Sequence, residues 1–193
     1  MRLIRDPLGR RRAQRGQALV EFSLTILIFM TIFVAIAEFA FFLTVKIGVT
    51  NTAQDTVQLA AELGNTPYSD MQILQLVEKD VSAPLDRSKI QSVEIIWTDS
   101  YGVANYGEDR YDRSGSLTRN SITVPYSPGT ATYPEGSRCN VIAGCPGHVS
   151  VDYIAVKVTY QYTWVTPLPG LAGLSSSPPI FVQSSISRLE PIQ

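Results

Sequence analysis

The sequence predicts an α+β protein: a long N-terminal transmembrane and stalk helix, followed by a small antiparallel sheet domain with a packed helix. Three observations predict it. Residues 22–45 form an apolar run broken by a single ionisable residue, Glu38. An amphipathic stretch then continues to Leu63 before a glycine–proline stop. Residues 152–165 alternate apolar and polar side chains with the period of a half-buried strand.

The helix comes first. FSLTILIFMTIFVAIAEFAFFLTV (22–45) would extend about 36 Å at 1.5 Å per residue, enough to cross a hydrocarbon core of about 30 Å. Ser23, Thr25, Thr31 and Thr44 do not defeat this reading, because their hydroxyls can bond to a carbonyl in the preceding turn. Ala53, Val57 and Ala60 continue at helical spacing, and Gly64-Asn65-Thr66-Pro67 supplies the stop. One helix over 17–63 would be about 70 Å long, more than an anchor requires, which suggests a stalk or an assembly element.

Charge gives the orientation. The chain has a net charge of −1, but residues 1–16 carry six arginines against Asp6, a net +5, so the remainder carries −6. A basic tip on an acidic body argues against a nucleic-acid-binding domain. Arginines directly ahead of an apolar run place the N-terminus in the cytoplasm and the C-terminal domain outside.

The domain from about residue 66 to 193 is of single-domain size. A short helix is expected from Asp70 to about Val81, capped by Ser69 or Asp70. Strands are expected over 89–99, 152–165 and 180–189, the first with Val93, Ile95 and Trp97 on one face. Residues 100–150 read as a long loop region with one short strand near 121–124. Within it, the acids Glu108, Asp109 and Asp112 of GEDRYDRSG lack calcium-loop spacing and read as a solvated turn. Cys139 and Cys145 are the only cysteines, and export makes a disulfide closing a short loop the economical reading. The alternative is a zinc site with His148, which lacks a clear fourth ligand.

The junction RRAQRGQALVEF resembles a type IV prepilin processing site. RGQALVEFSL, the later AEFAFF, VTNTAQDTVQLAAELG and the terminal SISRLEP are together similar to TadE-like minor pseudopilins of tight-adherence (Tad/Flp) pilus systems. The resemblance is strong over 14–63 and weak beyond. It implies that 1–16 is a leader cut by a prepilin peptidase after Gly16. Gln17 then becomes the new N-terminus, Glu21 its fifth residue, and Phe22 the aromatic that opens the apolar run. It also implies that Glu21 neutralises the terminal amine of a neighbouring subunit. The implied partners are the peptidase, other pilins or pseudopilins, the assembly platform and the inner membrane, with a place in or at the base or tip of a pilus. No cofactor, metal, nucleic acid or small-molecule substrate is expected.

Glu38 lies 17 positions after Glu21, about 25 Å along the helix and roughly 100° round it. It reads either as a snorkelling interface residue or as a partner-facing assembly residue. Catalysis is not expected, since no nucleophile elbow, phosphate loop, dinucleotide fingerprint or H-E-x-x-H is present. Two rival readings remain. Ala35-Ile36-Ala37 satisfies the small-x-small rule of signal peptidase, which would release a soluble protein beginning at Glu38. The other is a plain membrane-anchored binding exodomain.

Overall fold

The computed structural model describes residues 7–103, 106–140, 145, 148, 150–167, 170 and 178–190. In chain order the principal elements are α1 (Pro7–Leu63), α2 (Ser69–Asp80), β1 (Ile90–Thr98), β2 (Gly107–Asp112), β3 (Leu117–Arg119), β4 (Ile122–Val124), β5 (Ser127–Ala131), β6 (Tyr153–Gln161) and β7 (Ile180–Arg188). The predicted α+β class holds: a long apolar helix, a second helix and an antiparallel five-stranded sheet ordered β5-β2-β1-β6-β7. β3 and β4 form a separate hairpin. The chain divides into two compact units. One takes α1 up to Phe41 with the segment that opens at Trp164; the other takes α1 from Phe42, α2 and the sheet.

In the sheet unit the apolar stripe of α1 is buried at Val45, Val49, Ala53, Val57 and Ala60, the four- and three-residue steps of one helix face. Gly64 ends the helix at φ 57°, the left-handed geometry that glycine adopts without a Cβ penalty, and its N–H donates to Ala60 O at 3.1 Å. Gly48 serves a different purpose: a Cβ there would meet Leu85 Cδ1 at 2.5 Å, so glycine lets Leu85 approach the helix. α2 adds Met71, Ile73, Leu74 and Val77 to the core. β1 adds Val93 and Ile95, and β6 adds Ile154, Val156, Val158 and Tyr160. On the opposite sheet face Glu94 sits directly across from Arg110 of β2 and Lys157 of β6. Glu94 is 4% exposed and ion-paired to both cations.

α1 covers the expected 17–63 helix and continues back to Pro7. Two further expectations are corrected. Among the described residues, 100–150 hold four strands rather than one, and GEDRYDRSG is not a solvated turn. Its first six residues are β2, paired with β1 along its whole length, with Asp109 and Tyr111 facing the interior. The cap of α2 is neither Ser69 nor Asp70, which both lie inside the helix. Tyr68 occupies the N-cap position at φ 66° with no side-chain cap of its own. The carboxylate of Glu135 accepts the free N–H groups instead, from Tyr68 at 2.8 Å and Asp70 at 3.0 Å. A negative group at a helix N-terminus satisfies these donors and opposes the positive end of the dipole. Glu135→Ala is expected to lower stability by about 1 kcal/mol in a urea titration, the ordinary cost of a lost cap.

Candidate functional site: the apolar helix and its carboxylates

Along α1 the side chains of residues 16–36 are almost all exposed: Leu19 70%, Phe22 66%, Leu27 66%, Phe33 62%. So much apolar surface without protein cover marks a surface that meets something other than water. The helix is long and apolar enough to cross a membrane, and a signal sequence near an N-terminus meets the same criterion. Hydroxyls inside it bond back to the helix: Ser23 to Leu19 O, Thr25 to Glu21 O and Thr31 to Leu27 O, each at 2.9 Å. These side chains therefore carry no unsatisfied donor into an apolar medium.

Gly16, Gln17, Glu21 and Phe22 occupy one continuous helical stretch. The Gln17 amide donates from Nε2 to Glu21 Oε1 at 2.9 Å, one turn on. Glu21 is exposed, and a Cβ at Gly16 would meet nothing within 4 Å. Among the described residues, no packing contact requires glycine at that position.

Glu38 is different. It is 5% exposed, whereas Ile36 and Phe39 beside it are 64% and 60% exposed. Oε1 accepts the backbone N–H of Val165 at 3.0 Å and Oε2 that of Thr166 at 2.8 Å. Two consecutive amides on one carboxylate make a charge-assisted clamp, which offsets the desolvation of the acid. Neither sequence reading of Glu38, snorkelling or facing a partner, foresaw an intrachain clamp. A signal for it did exist: Glu38 precedes Val45 by seven residues and Val49 by eleven, so it lies on the stripe that is buried further along.

The cysteines are joined as a Cys139–Cys145 disulfide. His148 Nδ1 lies 2.6 Å from Asp152 Oδ1, and the His148 ring stacks on Trp97 with centroids 4.4 Å apart. Asp152 Oδ2 accepts from Tyr133 OH and from Cys139 N–H, both at 2.9 Å. Cys139, His148 and Asp152 thus come within 4.8 Å of one another, the donor types that hold a metal. The disulfide takes both sulfurs, and Asp152 serves as a hydrogen-bond hub for the loop. A cavity of about 480 Å³ adjoins this cluster, lined in part by Trp97, Asp99, Tyr106 and Tyr153. Of the acids of GEDRYDRSG, Asp109 accepts Tyr133 N–H at 2.9 Å inside the domain, while Asp112 pairs with Arg110 at 2.8 Å. They point to opposite sides of β2 and do not converge on a cation.

Sequence reasoning missed the buried Arg138. It is 2% exposed, and its guanidinium reaches Asp70 Oδ1 at 2.5 Å and Asp109 Oδ2 at 3.6 Å. It also donates to Ser69 Oγ at 3.0 Å. Burial, and then the neighbouring Asp70, hold the Asp109 carboxyl above its ordinary range. No local pattern marks this arginine, because its partners lie about 30 and 70 positions earlier in the chain.

The chain thus carries an apolar N-terminal helix long enough to span a membrane and an α+β sheet unit. Residues 16–58 match the family model described as TadE-like protein, so that stretch is similar to this family. The family is structural rather than catalytic and is tied to the Tad pilus machinery. No curated protein and no solved structure gives a significant match.

Proposed function

We propose that this chain is a minor pilin-like subunit of a Tad/Flp-type pilus, matured by a prepilin peptidase that cuts after Gly16. The single observation that carries the reading is the coincidence at residue 16. The TadE-like match opens there, six residues ahead of the apolar run that begins at Phe22. The residue itself is a glycine whose lack of a side chain serves no contact in the fold. The basic leader would hold the Gly16–Gln17 bond at the cytoplasmic face. The freed amine of Gln17 and the carboxylate of Glu21 then stand one turn apart on each subunit. At low dielectric an unpaired charge of either sign costs several kcal/mol, so pairing the amine of one subunit with Glu21 of the next favours one axial register. Partners in this reading are the peptidase, the other pilins and the assembly platform. The protein is a single-pass protein of the bacterial inner membrane with its sheet domain exported.

N-terminal sequencing of the membrane-associated protein tests the reading: Gln17 supports it, Glu38 means release by signal peptidase, and an intact Met1 means a plain anchor. Glu21→Gln is expected to leave cleavage intact and to reduce recovery in sheared pili about tenfold or more, matching the loss of one charge pair at low dielectric. Unchanged recovery would sink the pairing mechanism.

A further inference from the structure

The Glu38 clamp has a cost that only its surroundings explain. A carboxylate on a helix that otherwise shows apolar side chains is expensive wherever lipid is the neighbour. So is non-helical backbone, whose N–H groups find no water there; such backbone is tolerated at membrane depth only where protein satisfies it. Here each liability answers the other, because the two N–H groups of Val165 and Thr166 take the two oxygens of Glu38. The segment carries Trp164 half-buried, Val165 62% exposed and Pro167 exposed. Trp at such a position suits the headgroup level, where its ring is both apolar and polar.

Length agrees. Residues 17–37 extend about 31 Å as a helix, which spans a hydrocarbon core by themselves. Apolar exposure continues past this point at Phe39, Phe41, Leu43 and Ile47, while Glu38 is covered. Lipid therefore ends lower on the Glu38 face than on the opposite face.

We propose that Trp164–Pro167 is a second membrane-contact site: an interfacial wedge, held by Glu38, that replaces lipid at the headgroup level of the outer leaflet. This rests on reading α1 as a membrane span, and it moves the outer end of that span on the Glu38 face from about Val45 to Ala37. It needs neither cleavage at Gly16 nor entry into a pilus.

The test uses the full chain in vesicles of phosphatidylcholine and phosphatidylglycerol. Trp97 and Trp164 are the only tryptophans, so Trp97→Phe isolates the fluorescence of Trp164. Lipids brominated near the top of the acyl chain are expected to quench Trp164 at least about twofold more than lipids brominated near its middle, as for an interfacial indole. In the same background, Glu38→Ala is expected to remove most of that difference, and Glu38→Gln, which keeps one acceptor oxygen, to retain part of it. Equal or stronger quenching by the deep bromines overturns the proposal, as does no quenching by either. A profile unchanged in Glu38→Ala overturns the role given to the clamp. Failure of the pilus reading, seen as an intact Met1 on sequencing, would leave the quenching profile unaltered, so the two are separable.

Discussion

Arg138→Ala is expected to unfold the sheet domain more readily than any other single change outside the apolar core, lowering stability by about 3–5 kcal/mol. The reason is the company the guanidinium keeps. Asp70 and Asp109 are 3% and 3% exposed, and Arg138 is the cation between them. Removing it leaves two buried carboxylates facing each other with no counter-charge. The remaining partners, Tyr111 OH on Asp70 at 2.6 Å and Tyr133 N–H on Asp109 at 2.9 Å, are neutral donors. Arg138→Met keeps much of the volume and should fare little better, which separates lost charge from lost packing. The triple variant Arg138→Met, Asp70→Asn, Asp109→Asn should recover most of the loss, because no unpaired charge is left behind.

A pH dependence follows from Asp109 in this cluster. The folded Asp109 carboxyl is raised above its ordinary value of 3.8, first by burial and then by Asp70. The folded state therefore holds this proton more tightly than the unfolded chain does. The associated stability is greatest below 3.8 and is lost as pH rises through the folded pKa, above which it levels off. Asp109→Asn is expected to flatten that slope in urea titrations run across the acid range. In Arg138→Ala the slope should steepen, since Asp109 then loses the cation that favours its charged form.

How much of this was readable in advance depended on how local each cause is. β6 was legible because Ile154, Val156, Val158 and Tyr160 alternate within one strand, and α1 was legible because hydropathy accumulates over many turns. β2 and β5 were not. Gly107, Glu108, Asp109 and Asp112 look like a turn, and Tyr133 N–H and Arg138, both distant in sequence, make a buried Asp109 tolerable. β5 carries Pro128 and Gly129, which argue against a strand; yet it is an edge strand, where a missing N–H is tolerated. The α2 cap is supplied by Glu135, 65 positions after Asp70, and so escaped a search for Ser or Asp beside the helix start. The junction proposed at Gly16 rests on contiguous residues, so it needs no tertiary contact to be read from the sequence.

That contiguity makes Gly16 the position where fold and function separate most cleanly. In a helix interior, glycine is less favourable than alanine by about 1 kcal/mol. A Cβ at Gly16 would meet nothing within 4 Å, so Gly16→Ala meets no steric penalty from the chain and gains helix propensity. On structural grounds alone the substitution should be neutral or slightly stabilising. If glycine is there because a protease must bring its catalytic carboxylates close to the backbone at the Gly16–Gln17 bond, the outcome reverses for processing. Gly16→Ala should then slow appearance of the mature chain, and a bulkier Gly16→Val should reduce it about a hundredfold or more, the effect of a misplaced scissile bond. A gel shift of the membrane fraction, with the N-terminus sequenced, reads this directly. Full maturation of Gly16→Val, with Gln17 still the N-terminus, would mean that the glycine is incidental to cleavage. Thermal unfolding of the same variants supplies the control: an unchanged or raised midpoint together with lost cleavage places the need for glycine in the peptidase and not in the fold.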